Sequence, residues 1–500
     1  MKLLLTILTI FISLIAVGQK QVEVVQGNTW EYDDAIAPGA QRLIGFVVLA
    51  FDDVTLACDS AYIFESNDFT AFNNIHINQG DSIHLYGDRI DYTYIDEAAI
   101  LKDNVLFKDK DMTLKTDYLN YDMLTSIGSY QNGGEITSTE NNNNLTSESG
   151  SYDSDIEMFY FRNNVVLSNP EYTVKSDTLH YNNASEIAYF FGPTTIVGKD
   201  SEIYCENGWY NTQTEICQFS ENATITTEST VLKGDSLYYN GFSKYGEAFR
   251  NVLISDSIDK FTIQGDYGYH DQLNDSSFVV GETLYIQDFE QDSLFLHADT
   301  LLAVNDSLGH NMIKAYNNVK FFKLDIQGKA DSLVWLNKDS LIQMFYDPVI
   351  WNEGNQMSSD SISIKMENGS IHQLVAKKNA LIVSSKGADK FDQIKGRELI
   401  GHFKENKLFK LDMLGNGQAV YYPIQEKNGL SSISSVNKID CSDIVIYMKD
   451  SSIERIKFLT KPKGAMLPIS QAVPSDEKLK DFFWNIEERP NSRYDILPLN

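Results

Sequence analysis

The chain repeats a short acidic motif at a nearly constant interval. Three copies read KTDYLNYD, KSDTLHYN and KGDSLYYN, and weaker copies lie between them. One acidic residue of this motif, which we call the marker acid, recurs every 29 to 33 residues: Asp59, Asp88, Asp117, Glu148, Asp177, Glu206, Asp235, Asp266, Asp299, Asp331 and Asp360. Such a period indicates supersecondary units that each bury an apolar face against their neighbours.

Each repeat contains two segments with the alternation of a strand. In the first, Leu or an equivalent residue stands two positions after the marker acid, and an aromatic residue often stands at four, as Leu119 and Tyr121 do after Asp117. The second segment follows about 16 residues after the marker acid and reads NVLF, NVVL or NVLI. Alternation with period two is typical of strands with one buried face. No helical period interrupts it, so we predict an all-β fold of stacked units of about 29–33 residues.

The alternation also predicts which side chains face the interior. Neighbours of these positions, such as His180 and Tyr238, should face outward. The pattern leaves two alternatives: a closed and packed coil, or a coil that is open along one side with an apolar trough. The candidate interior residues of the central repeats are Val105, Leu119, Tyr121, Val165, Leu179, Tyr181, Leu237, Tyr239 and Val252.

The N-terminal residues predict export. Residues 1–18 combine one Lys, an apolar run from Leu3 to Val17 and the small residues AVG, which is typical of a secretory signal peptide. A membrane anchor is the alternative, although this run is short for a span. We predict a lead-in strand in residues 19–50, the repeat array in 51–460 and a proline-containing tail in 461–500. The expected location is the periplasm, and association with the outer membrane stays open.

Composition and motifs argue against several functions. The net charge of −29 disfavours nucleic acid as a partner. Phosphate-binding loop motifs do not occur, so we predict no nucleotide and no cofactor. His76 and His84 could meet across strands, but no motif predicts a metal site. The marker acids are expected to bond backbone N–H groups at strand corners. Whether Cys205 and Cys217 form a disulfide is left open.

The linked motifs resemble those of the OstA-like family. The matching stretches include GDSIHLYGDRIDYTYIDEAAILKDNVLF, KTDYLNYD, KSDTLHYN, KGDSLYYN and FRNVLI, and the resemblance covers about residues 51–382. That family comprises the periplasmic bridge protein of lipopolysaccharide transport and the soluble N-terminal domain of the outer-membrane translocon. The resemblance implies an elongated repeat β-jellyroll, V-shaped in section and open along one side, whose interior shields the acyl chains of lipopolysaccharide.

The same resemblance implies partners and a role without covalent chemistry. The implied partners are lipopolysaccharide and other lipopolysaccharide-transport jellyroll proteins, joined head to tail. The apolar segment QRLIGFVVLAF, residues 41–51, is the expected docking strand, and a buried first strand is its alternative. Two other functions stay open: a secreted or surface β-solenoid that acts as an adhesin or structural rod, and a carbohydrate-active β-helix. The acidic composition argues against direct binding of lipid A phosphates unless divalent cations bridge them.

Overall fold

The computed structural model describes most of the chain beyond residue 21. Residues 1–18 lie outside the described residues, so the predicted signal peptide stays a prediction. Strands account for 74% of the structure and helices for 2%, which confirms the predicted all-β fold. No helix in the described part is long and apolar enough to cross a membrane. The described residues are 22–497 apart from 33, 37, 52–53, 81–82, 110–111, 139–141, 259, 272, 275, 290–291, 306–310, 368, 388, 428–429 and 450–451.

The chain forms two compact units. Unit 1 comprises residues 1–228 and 233–244, and unit 2 comprises residues 229–232 and 245–500. Strand β18 (Thr230–Asn240) contributes residues to both units. The other strands of unit 1 are β1 (Glu23–Gln26), β2 (Thr29–Tyr32), β3 (Ala40–Phe51), β4 (Val54–Phe64), β5 (Phe69–Gln79), β6 (Ile83–Thr93), β7 (Ala98–Asp109), β8 (Met112–Asp122), β9 (Ile127–Tyr130), β10 (Gly134–Ser138), β11 (Asn143–Ser147), β12 (Ser149–Asp153), β13 (Met158–Ser168), β14 (Thr173–Asn182), β15 (Ile187–Val197), β16 (Ser201–Asn211) and β17 (Ile216–Thr227).

Unit 2 holds the remaining strands and the short helices. Its helical segments are α1 (Pro474–Glu477) and two 3₁₀ turns, Ile469–Gln471 and Ile486–Glu488. Its strands are β19 (Tyr245–Asp256), β20 (Phe261–Asp271), β21 (Ser276–Asp288), β22 (Ser293–Asn305), β23 (Asn311–Lys323), β24 (Ile326–Leu336), β25 (Leu341–Phe345), β26 (Val349–Asn352), β27 (Asn355–Ser358), β28 (Ser361–Glu367), β29 (Ser370–Ser385), β30 (Phe391–Lys404), β31 (Lys407–Leu414), β32 (Gly417–Tyr421), β33 (Ile424–Lys427), β34 (Leu430–Ile433), β35 (Ser435–Cys441), β36 (Asp443–Lys449), β37 (Ser452–Leu459) and β38 (Lys463–Pro468).

Strands that follow one another in unit 1 pair in antiparallel fashion. Strands β3 to β8 form one continuous meander, and so do β13 to β17. Between them, β9 and β10 are two halves of one interrupted strand, and so are β11 and β12. A return strand therefore separates any two strands that carry marker acids, so successive motif copies do not pair directly. Leu119 and Leu179 still occupy one row, which runs through Tyr130, Gly150 and Phe161.

Each marker acid lies at a corner, either in the middle of a strand or, for Glu148 and Asp360, in the break between two short strands. The pairing register shifts there, as it does between β13 and β14. On the return strand the corner has two successive residues with positive φ, such as Asn163 at 61° and Asn164 at 52°. Asn adopts this left-handed conformation more readily than most residues. The second Asn donates its side-chain N–H to the preceding marker acid: Asn164 Nδ2 lies 2.5 Å from Glu148 Oε1.

The same hydrogen bond recurs along the chain and corrects the expected role of the marker acids. At these corners the carboxylate accepts from an asparagine side chain of the next strand, rather than from the backbone N–H groups that we expected. The other pairs are Asn74–Asp59 (2.8 Å), Asn104–Asp88 (2.5 Å), Asn222–Glu206 (2.9 Å), Asn318–Asp299 (2.9 Å) and Asn379–Asp360 (3.0 Å).

The residue immediately before each marker acid is small in every repeat from Cys58 to Ser359. In unit 1 this position and the position two after the marker acid are both mostly turned away from solvent. The strand is therefore bent into two arms whose inner faces share one interior, and a small residue fits at the bend. Cys58 and Cys205 occupy this position, and all four cysteines are free thiols. Cys205 and Cys217 are thus two unpaired, buried thiols.

The first long strand is covered on both edges. Strand β3 pairs with β4 on one side and with the short strands β1 and β2 on the other. Val47 is 0% exposed. Residues 41–51 therefore form the buried first strand that we considered as the alternative to a docking strand, and β1 and β2 lie outside it.

A C-terminal segment packs along unit 2. Three buried glutamines from different strands bond this segment. Gln393 bonds the backbone of Glu477 and Leu479, and Gln356 bonds the backbone of Phe483 and Asn485. Gln327 accepts from the side chain of Arg489. The contacts follow the order β30, β27, β24, so the segment crosses these strands as it proceeds toward its end. Strand β38 also lies within residues 461–500, the predicted tail. The predicted domain limits are otherwise left as predictions.

Candidate functional site

An apolar cavity of about 460 Å³ lies inside unit 1. Strands β3 to β10, β12 and β13 contribute its lining, together with the turn residues Tyr94, Glu97 and Met123. Apart from glycines, the polar lining residues are Gln79, Glu97, Ser129 and Ser151, and the remaining side chains are aliphatic or aromatic. A concave, mainly apolar lining with few polar groups is typical of ligand-binding cavities.

Both arms of the bent strands face this cavity. In β6, Ile83 and Leu85 line it from the arm before the marker acid Asp88, and Ile90 and Tyr92 line it from the arm after it. In β6 the inward-facing residues have odd numbers before Asp88 and even numbers after it. The bend at the marker acid therefore brings the two apolar faces of one strand together. The cavity is thus built from repeated corners rather than from a loop inserted into the fold.

Aromatic rings define the two ends of the cavity. At one end, the rings of Phe69 and Tyr92 stack with centroids 5.1 Å apart, and Phe51 lies 5.5 Å from Phe69. At the other end, the ring centroids of Tyr152 and Phe159 are 4.3 Å apart. Aromatic pairs at these separations pack favourably beyond the area that they bury.

Burial favours the neutral form of three tyrosines that line this interior. Burial raises the pKa of Tyr121 and Tyr130, and it raises the pKa of Tyr152 to about 12. The Tyr130 hydroxyl lies 2.5 Å from the Ser147 hydroxyl, so its polar atom has a partner at the bend. Neutral phenols present mostly hydrocarbon surface, and the cavity can therefore hold an apolar chain without burying a charge.

A second, much smaller cavity of about 40 Å³ lies farther along unit 1. It shares Met112, Ile136, Phe159 and Phe161 with the first cavity. Strands β8 and β10 supply the first two of these residues, and β13 supplies both phenylalanines. These four side chains form the wall between the cavities.

The structure distributes the nine predicted interior residues unevenly. Leu119 and Tyr121 line the larger cavity, and Leu179 and Tyr181 line the smaller one. The other five line neither cavity: Tyr239 is partly buried, and Val105, Val165, Leu237 and Val252 are 1–2% exposed, with Val252 in unit 2.

Sequence reasoning missed the lining residues on the other arm. Leu56, Leu85 and Leu114 each stand three positions before a marker acid, and all three line the larger cavity. An apolar residue occupies this position in every repeat from Asp59 to Asp299, so the signal was present in the sequence. Simple alternation excludes this position, because an odd number of residues separates it from the inward positions two and four after the marker acid.

Polar clusters elsewhere in unit 1 are small. His76 Nε2 and His84 Nδ1 are 3.2 Å apart, and the His76 ring stacks on Tyr86. Burial, followed by the neighbouring His84, lowers the pKa of His76, which favours its neutral form. Among the described residues, no three His, Cys, Asp or Glu side chains are grouped so that they could hold a metal ion.

Comparisons with known proteins identify part of the chain. No curated protein matches it. A crystal structure of LptH, described as the LptA-homologous periplasmic component of the conserved lipopolysaccharide transport device from Pseudomonas aeruginosa, is 12% identical, with a TM-score of 0.22 over 28% of this chain and 93% of that one. The model of the family described as OstA-like protein matches residues 19–177 and 175–235, a segment that contains every residue lining the two cavities. Residues 19–235 therefore match the OstA-like family, the family that the repeated motifs predicted.

Proposed function

We propose that this protein is a periplasmic carrier that shields the acyl chains of lipopolysaccharide during transport to the outer membrane. The observation that carries the proposal is the apolar cavity of about 460 Å³, which lies within the OstA-like segment and is lined from both arms of the bent strands. The role is binding without covalent chemistry. An acyl chain of about a dozen methylenes gains roughly 10 kcal/mol on leaving water, at ~0.8 kcal/mol per CH₂.

Two of the alternatives from the sequence fit this interior less well. A structural rod or adhesin gains stability from a fully packed core, whereas unit 1 leaves space between its arms. A carbohydrate-active site needs carboxylates that converge in a cleft. Glu97 is the one carboxylate in the lining of this cavity.

Neighbouring residues of one strand provide the test. Leu119 lines the cavity, whereas the adjacent Asn120 does not. We expect a photo-crosslinker at Leu119 to capture lipopolysaccharide in cells and one at Asn120 to capture none. Equal labelling at Leu119 and Asn120, or no labelling at either position, would contradict the proposal.

The partners of the proposed carrier are other lipopolysaccharide-transport jellyroll proteins, joined head to tail. Strand edges at the ends of a sheet offer unpaired backbone groups to such a partner. With β3 covered, the contact is assigned to β2, whose Trp30 and Tyr32 are 59% and 63% exposed. We expect Trp30→Asp combined with Tyr32→Asp to weaken complex formation. Tyr346→Asp is the control, since Tyr346 is 72% exposed in unit 2. Equal complex formation by all three proteins would refute this assignment.

A further inference from the structure

The interior of unit 1 contains a row of tyrosines at one level. Tyr92, Tyr121, Tyr152, Tyr181 and Tyr210 each stand four positions after a marker acid, and each is paired in register with residues of the neighbouring return strands. We call this row of tyrosines and their paired residues the tyrosine row.

The return strands place small residues between these tyrosines, with one exception. Ala99, Gly128 and Ala188 are the residues that pair with two successive tyrosines on three return strands. Outside the row, Phe69 pairs with Tyr92 and Cys217 pairs with Tyr210. On the remaining strand between two tyrosines, β13, the same position is Phe159, which pairs with Tyr152 and Tyr181. A small residue leaves room in front of the sheet, and a phenylalanine ring fills it.

The exception coincides with the end of the larger cavity. Ala99 and Gly128 line the cavity of about 460 Å³, and Phe159 lies in the wall between it and the cavity of about 40 Å³. The Phe159 ring is supported by Tyr152 at 4.3 Å and by Phe161 at 6.0 Å between centroids. Beyond the wall, Ala188 lines the smaller cavity, so the small residue returns on the next return strand.

We propose that Phe159 is a stop that sets how far an acyl chain enters the interior of unit 1. The inference rests on the proposed function and adds its specificity: chains that end before Phe159 are fully enclosed, and longer chains leave methylenes outside. Phe159 acts by its volume, and the neighbouring positions of the tyrosine row show which smaller residues the same backbone accepts.

The test measures affinity against chain length. Saturated fatty acids of increasing length compete with a fluorescent fatty-acid probe for the full-length protein. The affinity of the fatty acid should rise about fourfold for each buried methylene until the cavity is full. We expect this rise to end at a longer chain in Phe159→Ala than in the native protein. In Ala99→Phe, which places a ring inside the larger cavity, it should end at a shorter chain.

A matched control lies beyond the stop. Ala188→Phe should leave the native length limit unchanged, because the chain does not reach it, but it should shorten the extended limit of Phe159→Ala. Phe159→Leu replaces the alanine variant if the latter fails to fold, and a smaller extension is expected. An unchanged limit in folded Phe159→Ala or Phe159→Leu would overturn the proposed stop. If no fatty acid displaced the probe from the native protein, the proposed function itself would fail.

Discussion

The asparagine–acid corners should stabilise unit 1 through two separable effects. Asn164 adopts φ 52° and donates to Glu148 across 2.5 Å. Replacing Asn164 by Gly removes the hydrogen bond but keeps a residue that accepts positive φ. Because the bond is exposed to water, we expect a loss of about 1 kcal/mol. Asn164→Ala removes the bond and adds left-handed strain, which costs an L-residue about 1–2 kcal/mol. Part of this strain is offset by the lower unfolded-chain entropy of Ala relative to Gly, so the alanine variant should lose about 2 kcal/mol in total.

Hydrogen exchange measured by mass spectrometry suits this comparison, because it reports the free energy of opening for individual strands. Peptides from β13 and β14 should exchange faster in the order native, Asn164→Gly, Asn164→Ala. Peptides from unit 2 serve as the internal control and should not change. If the two variants exchanged equally, the left-handed conformation would contribute nothing to the corner. If both matched the native protein, the corner would not contribute to stability at all.

Three further predictions concern packing and the C-terminal segment. Burial raises the pKa of Cys205 and Cys217 to about 12. At about pH 8 both thiols should therefore resist a disulfide reagent in the folded protein and react after unfolding. Rapid reaction in the native state would contradict their burial. A Cβ at Gly150 would clash with the Tyr130 ring, so Gly150→Ala should lower the free energy of unfolding by about 1–3 kcal/mol in thermal or urea unfolding. The loss should be much smaller in a protein that also carries Tyr130→Ala. Additive losses would show that the Tyr130 ring moves away without cost. The Arg489 guanidinium donates to the Gln327 side chain and to the Glu353 carbonyl. Arg489→Ala should therefore speed hydrogen exchange in residues 477–489 and leave exchange in unit 1 unchanged. Unchanged exchange in residues 477–489 would mean that other contacts hold the segment.

The repeat correctly predicted which face of the strand the Leu179 and His180 side chains occupy, because alternation along a strand is a local property. Leu179 and His180 were expected on opposite faces. Leu179 is 4% exposed and lines the smaller cavity, whereas His180 packs between Tyr160 and Phe191 with ring centroids 4.7 and 4.8 Å away. Successive motif copies do not pair with each other, because the period of the motif spans two strands.

The location of the empty space could not be predicted from single repeats. It depends on the summed volumes of side chains from several strands, and a difference such as Gly128 against Phe159 matters only once the register is known. The C-terminal segment was missed for a related reason. Gln393 and Leu479 bond across 86 positions, and no local pattern connects them.

The central claim is that the interior of unit 1 binds lipopolysaccharide acyl chains, and the direct measurement is native mass spectrometry of the protein purified from cells without detergent. We expect lipopolysaccharide to accompany the native chain, and the bound fraction to fall when Leu119→Asp places a charge in the cavity. Asn120→Asp, one residue away on the same strand, should retain the lipid. A native protein that carries no lipid, or a Leu119→Asp variant that is folded and carries as much as the native chain, would contradict this account.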